Sequence, residues 1–237
     1  MFLRLWGMRF YESTSFFLRV IVVDYFSKTT GITLRLMPMF HIGEPSYYDA
    51  ILKEANDCEV ILYENMDLRK RRIDRQWGRY TQVAKQLNLV SQIDYFPYDQ
   101  VKPPLIHADL KGQKAQQAWN QLSWKAKLEY RIIAPLKFRL ESFGLTRQKL
   151  SKAFMTAAEE AYLAFGPVEE VGGLEHLLTK TRDQIILETI QAQLEQPTAK
   201  TIGLLYGAAH MKRVAHYLTS KHNFIIQDAR FIRVYDL

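Results

Sequence analysis

Cysteine is almost absent from this sequence. Cys58 stands alone among 237 residues, so no internal disulfide can form and the chain reads as one suited to a reducing compartment. Asn56-Asp57-Cys58-Glu59 leads into an apolar run, which makes Cys58 a small core residue rather than a reactive thiol. Long uncharged hydrophobic runs are missing as well. Phe16, Phe17, Leu18, Val20, Ile21, Val22 and Val23 are apolar, but Arg4, Arg9, Glu12, Arg19 and Asp24 break them up, and a spanning helix needs ~18 to 20 apolar residues in succession. With no small-residue cleavage site following, the expectation is a cytoplasmic protein without a signal or a transmembrane segment. A glycine-rich phosphate loop, a paired-cysteine cluster and a nucleophile elbow are all lacking.

Excess negative charge is lacking too. Lys and Arg outnumber Asp and Glu by 32 to 25, a net charge of +7, which favours acidic partners or anionic surfaces, a peripheral membrane contact included, without choosing among them. No clear nucleic-acid motif accompanies the charge. The basic run Arg69-Lys70-Arg71-Arg72 reads as a solvated loop, with polyanion binding through Arg69 to Arg75 as the alternative. Hydrophobic residues make up 48%, enough for a well-packed core. No linker or low-complexity tract divides the chain, so residues 1–237 read as a single domain.

What is present is organised around residues 32–56, ITLRLMPMFHIGEPSYYDAILKEAN. A proline cannot donate to a sheet, so Pro38 places the strand end near Met37 and leaves Phe40 and His41 on the loop beyond. Tyr48, Ile51, Leu52 and Ala55 then recur at helical spacing behind Pro45. Upstream, Phe16 to Phe26 pairs with the strand at 32–37 as an antiparallel hairpin through Ser27-Lys28-Thr29-Thr30-Gly31. Glu59 to Tyr63 (EVILY) is a short strand covered on both faces, ending at Glu64. Tyr80, Val83, Ala84 and Leu87 mark another helix.

Residues 88–114 form a long irregular connection containing His107-Ala108-Asp109-Leu110, and loops of that length are more often functional than inert. From about Ala115 to Phe165 the pattern is helical, broken near Pro135 and Gly144, with Thr146 capping the last piece. Leu174 to Leu194 is a further long helix. The end of the chain repeats the opening unit: a strand at 201–206, Gly207, His210, then a helix with Met211, Val214, Ala215 and Leu218 on its apolar face. Asn223 to Ile226 and Phe231 to Val234 read as two closing strands. The fold class is therefore α/β, with α+β the alternative: a central mixed β-sheet with flanking helices, two strand–His–helix units and a helical insertion at about 115–165.

If the strands before His41, Glu64 and His210 are parallel neighbours, two imidazoles and one carboxylate converge at one sheet edge. Such a set can hold a divalent ion, Mn, Co or Zn-like, with a coordination position left for an acidified water. Taken singly, each histidine is equally a polar loop residue, and Glu64 could satisfy a helix N-terminus. Arg182 has Leu178, Thr179, Ile185 and Ile186 as its helical neighbours, so its guanidinium points inward and needs a partner. Glu64, Asp109 or a substrate carboxylate or phosphate would serve, as a structural ion pair or as a binding fork. Asp183 is placed on the helix flank beside Lys180. Glu44 is a helix-start carboxylate or a general base near a metal-bound water. His107 and Asp109 either extend the site or form a turn capped by Asp109.

Gly207-Ala208-Ala209-His210 and Pro38-Met39-Phe40-His41, with Glu64 ending the strand Val60-Ile61-Leu62-Tyr63 between them, resemble the TraB, PrgY and Tiki group, related more distantly to the erythromycin esterases and the haem-binding ChaN proteins. That group carries two G-x-x-H motifs with an intervening Glu; the second is complete here, and the first has Pro38 in place of glycine. Arg182-Asp183 lies where the group has an arginine-bearing helix, and His107-Ala108-Asp109 is similar to a segment of some bacterial members. The resemblance covers about residues 32–110 and 174–220. It implies a divalent-metal-dependent, peptidase-like hydrolase with His41, His210 and Glu64 as its metal or catalytic set. A non-catalytic binding or regulatory protein for a peptide or small anionic ligand is the other expectation.

Overall fold

Val, Ile and aromatic side chains dominate Phe17–Phe26 (β2), and such residues fill a pleated, half-buried surface well. The computed structural model describes residues 9–64, 78, 80–110, 120, 144–163 and 174–237. Along one edge β2 pairs antiparallel with Ile225–Asp236 (β9) over its whole length. Its other edge is shared by Tyr11–Ser13 (β1) and Thr33–Met39 (β3), both antiparallel. Beyond β3 the sheet turns parallel, running through Thr201–Gly207 (β8) and Val60–Tyr63 (β5) to Leu105–His107 (β7). This is the expected mixed sheet of an α/β fold. A short bridge, Ile42–Gly43 (β4) with Val90–Ser91 (β6), lies off the sheet.

The helices follow their apolar spacing. Pro45–Asn56 (α1) buries Tyr47, Tyr48, Ile51 and Ala55, while Leu52 packs at the margin of the core. Residues 80–86 (α2) bury Val83 and Ala84, and Gln92–Tyr95 (α3) follows β6. Arg147–Leu163 (α4) starts where Thr146 Oγ1 accepts the Lys149 N–H at 3.2 Å, the expected cap. Leu174–Glu195 (α5) buries Ile186 and Ile190. Met211–His222 (α6) buries Met211, Val214, Ala215 and Leu218 and ends at Asn223 in the left-handed region. Each fully buried aliphatic or aromatic side chain contributes roughly 1.5–3 kcal/mol. Among the described residues no helix is long and apolar enough to cross a membrane.

Residues 88–110, expected as an irregular connection, carry β6, α3, a 3-10 turn at Tyr98–Gln100 and β7, and the ends of two further strands differ from the sequence reading. Strand β3 continues through Pro38 to Met39, because pairing with β2 stops at Leu36 while pairing with β8 runs on to Met39. A strand bonded on one side only has room for a residue without an N–H. The closing segment is one strand of 12 residues rather than two, held to β2 across register shifts at Leu18/Arg19 and Asp24/Tyr25. Cys58 is buried, and burial pushes its thiol up to about 12, as suits an inert core residue. The run 69–75 and most of 115–143 lie outside the described residues, as do the side chains of Leu178 and Thr179.

Four side chains knit the layers at the β2 end. Arg35 on β3 forks onto Asp24 of β2 at 2.9 and 3.0 Å and reaches Glu54 of α1 at 3.0 Å. Arg230 on β9 joins the same two carboxylates, donating to Glu54 at 2.7 Å and to Asp24 at 3.3 Å. One helix and three strands thus share a single ionic cluster.

Candidate functional site

Parallel pairing of β3, β8, β5 and β7, in that order, brings the C-terminal ends of four neighbouring strands to one edge of the sheet. Phe40 and His41 follow β3, His210 follows β8, Glu64 follows β5, and Ala108 and Asp109 follow β7. Ligands of open α/β sheets bind at such an edge. The neighbour condition on which convergence depended is met.

Glu64 is the centre of this arrangement. One carboxylate oxygen accepts from Arg182 Nη2; the other accepts the Gly207 N–H at 2.5 Å. Burial would raise its pKa, but the Arg182 charge, then His41 and His210, outweigh that and hold it down to about 2. Both imidazoles are therefore close enough to act electrostatically on Glu64. The glycine of the second motif has a concrete reason. A Cβ at Gly207 would sit 3.1 Å from Glu64 Oε2 and 3.5 Å from His210 Cδ2, so any other residue would require the carboxylate to shift by a few tenths of an ångström.

Arg182 points inward, as its apolar neighbours require. Its Nε and Nη2 fork onto both oxygens of Asp109 at 2.9 and 3.1 Å, and Nη2 also reaches Glu64. Asp109 is 3% exposed, and its Oδ1 also accepts the Leu110 N–H at 2.7 Å. Burial works against the Arg182 charge, yet Glu64, Tyr206 and Asp109 raise its pKa well above the ordinary value. The fork expected for a substrate anion is thus engaged by two carboxylates of the chain itself.

Asp183, the next residue on α5, faces His210. The flank placement beside Lys180 is corrected: Asp183 is 1% exposed, on the buried stripe with Ile186 and Ile190. Its Oδ1 lies 2.5 Å from His210 Nδ1, and Arg213 Nε stands 3.6 Å from Oδ2. The His210 ring meets Tyr206 edge-on, centroids 4.9 Å apart. Adjacent positions on one helix therefore hold the Glu64 side and the His210 side of the site. The apolar period runs through Asp183 as well as past Arg182, and that was the available signal.

His41 is placed by residues that motif reading passed over. The Tyr47 hydroxyl donates to Pro38 O at 2.8 Å and accepts the Phe40 N–H at 3.1 Å, while Tyr48 donates to Phe40 O at 3.0 Å. Burial raises both phenols, so they stay protonated donors. The His41 carbonyl accepts the Gln92 N–H at 2.8 Å, and its Nδ1 lies 2.9 Å from Gln92 Oε1. Glu44 is drawn to a different partner: its carboxylate accepts from Arg147 at 3.2 Å, and Arg147 also donates to Leu87, Asn88 and Asp236 carbonyls. Its side chain makes no cap bond to α1. His107 stacks edge-on against Tyr63, 5.6 Å between centroids.

The metal expectation fits this arrangement poorly. No group of three His, Cys, Asp or Glu among the described residues is placed to hold an ion, and both oxygens of Glu64 already accept, one from a guanidinium. Metal-binding histidines do have the other ring nitrogen held by a carboxylate or an amide oxygen, as His210 and His41 do here, but among the described residues no third ligand completes a set. Compared with family models, with curated proteins and with solved structures, the chain finds no match in any of the three.

Proposed function

We propose that this chain is a TraB-like hydrolase, peptidase-like in reaction, with His210 as its general base. The observation that carries the reading is the 2.5 Å contact of His210 Nδ1 with buried Asp183, beside an ionised Glu64. With the Nδ1 proton donated to Asp183, Nε2 carries the lone pair that takes a proton from an attacking water, and the carboxylate stabilises the imidazolium so formed. Glu64 suits neither the acid nor the base role near neutrality, because a carboxyl held near 2 neither keeps a proton nor attracts one strongly. Its part is to fix Gly207 and supply negative charge next to the imidazoles. Arg182 and Asp109 position Glu64.

The test is hydrolysis of a panel of fluorogenic peptides and esters. Wild-type protein is expected to turn over at least one, with His210→Gln and Asp183→Asn each losing about 10²–10⁴-fold in kcat. Unchanged turnover in His210→Gln would remove the base assignment.

A second reading, a binding or regulatory protein for a peptide, is favoured by one observation: the Arg182 fork and both Glu64 oxygens are engaged within the chain. Mass spectrometry of the incubated mixture separates the two, since a retained peptide with no product supports binding alone.

A further inference from the structure

Strand β9 forms an edge of the sheet, and it is long. It runs for 12 residues, about twice the usual strand, and among the described residues its only strand partner is β2. An open edge offers unpaired N–H and C=O groups to any strand that reaches it. Which residues offer them follows from β2. Ile21 donates its N–H to Phe10 O at 2.9 Å, on the β1 side, so Ile21 and its register partner Phe231 turn their backbone groups away from each other. No register shift falls between Asp228 and Arg233, so the alternation carries along: Ala229, Phe231 and Arg233 all face the free edge. That edge closes at Val234, whose carbonyl accepts the Glu44 N–H at 2.8 Å. From Ile225 to Arg233 every residue is exposed or half-buried, with Phe231 56% and Ile225 46% exposed. Proline and lysine, which usually blunt an edge, are both absent from the strand.

We propose that two copies of the chain pair antiparallel along β9, about a twofold axis at Ala229, and so join their sheets into one across a homodimer. Outward-facing residues must meet outward-facing residues, so the axis falls on a residue and not between two. Charge then selects the register. An axis at Asp228 or at Arg230 sets a charge against its own copy, and like charges directly opposite destabilise a pair. An axis at Phe231 pairs only residues 229–233, because the Val234 carbonyl is taken. An axis at Ala229 uses the whole open stretch, 225–233, and sets Asp228 against the partner's Arg230 and Arg230 against the partner's Asp228. The register shift at Asp24/Tyr25 lies outside Asp228–Arg230, so these central pairs fall in regular strand. Asp228 is also the carboxylate with room for a second arginine: its side chain is 61% exposed, against 11% and 17% for Asp24 and Glu54, the other acids on Arg230. The strand is thus complementary in charge to itself, which is why a second copy is the partner it fits.

Sedimentation equilibrium of the full-length protein, from micromolar to near-millimolar concentration, tests this. Wild type should pass from monomer to dimer as concentration rises. Asp228→Lys, at an exposed position, turns both charge pairs repulsive and should weaken the dimer roughly tenfold or more, while thermal unfolding at low concentration shows the monomer intact. Ala229→Pro removes the central N–H at the free edge without taking one from the β2 ladder, and should also favour monomer. Under mild oxidation Ala229→Cys should cross-link two chains, since residues opposite each other in a hydrogen-bonded pair lie ~5.5 Å apart at Cα, within disulfide reach. Phe231→Cys, set opposite the partner's Gln227, should not. A wild type that stays monomeric, a dimer indifferent to Asp228→Lys, or a cross-link through Phe231→Cys in preference to Ala229→Cys overturns the proposal. Open-ended assembly beyond the dimer overturns it too, because a twofold pair uses up the β9 edge of both copies.

Discussion

Glu64 shows how much one side chain can be asked to hold. Its folded-state pKa, about 2, lies below the ordinary 4.5, so its stabilising contribution is complete above about pH 4.5 and disappears as pH falls toward 2. The shift corresponds to roughly 3 kcal/mol, and the side chain is only 15% exposed, so little of it is screened. Urea unfolding of wild type and Glu64→Gln across that window should show a stability gap that closes on acidification. A gap that does not change with pH would mean the carboxylate is held by something other than its charge. The sequence showed Glu64, His41, His210 and Arg182 because each has a local mark: a strand end, a loop after a strand, an apolar helix stripe. Gln92 and Tyr47 have no such mark. Their roles depend on which loop lies beside which, and spacing along the chain does not carry that.

At the scale of elements, α1 is fastened to the end of β3 by two adjacent phenols. Tyr47→Phe removes a hydroxyl that serves both Pro38 O and the Phe40 N–H and should cost about 1–3 kcal/mol, the usual penalty for stranding buried backbone groups. Thermal unfolding measures the cost, and a broadened His41 resonance in the variant would show that the loop loosens with it. A Tyr47→Phe protein as stable as wild type would mean water replaces the hydroxyl. From sequence alone Pro38 marks the strand's stop, because a proline breaks a ladder. The rule holds only where both neighbours are bonded, and β2 has already left β3 at Leu36. In the closing strand Gln227, Asp228 and Arg230 separate two apolar runs along the chain, yet the strand is continuous, with Arg230 joined to Asp24 and Glu54 and Asp228 paired with Arg230.

For the whole molecule, that cluster of Asp24, Arg35, Glu54 and Arg230 is the fastening between sheet and helix at the end remote from the strand-end site. The two arginines share both carboxylates, so their contributions should not add. A double-mutant cycle of Arg35→Met and Arg230→Met is expected to give a coupling of about 0.5–3 kcal/mol in urea unfolding, whereas additive losses would mean the pairs act independently. Sheet type, the two strand–His–helix units and the cap at Thr146 were legible from periodicity and turn chemistry. The order of the strands was not, because it is decided by which edges remain open once the earlier strands have paired.

That order also has a consequence for synthesis. β8 lies between β3 and β5 although well over a hundred residues separate it from either in the chain. Until Thr201–Gly207 leave the ribosome, β3 and β5 have no common partner, and each presents an open edge to whatever is nearby. A nascent chain is therefore most exposed to wrong pairing just before its central strand is made. His41 and Glu64 wait for the later segment that brings His210 between them.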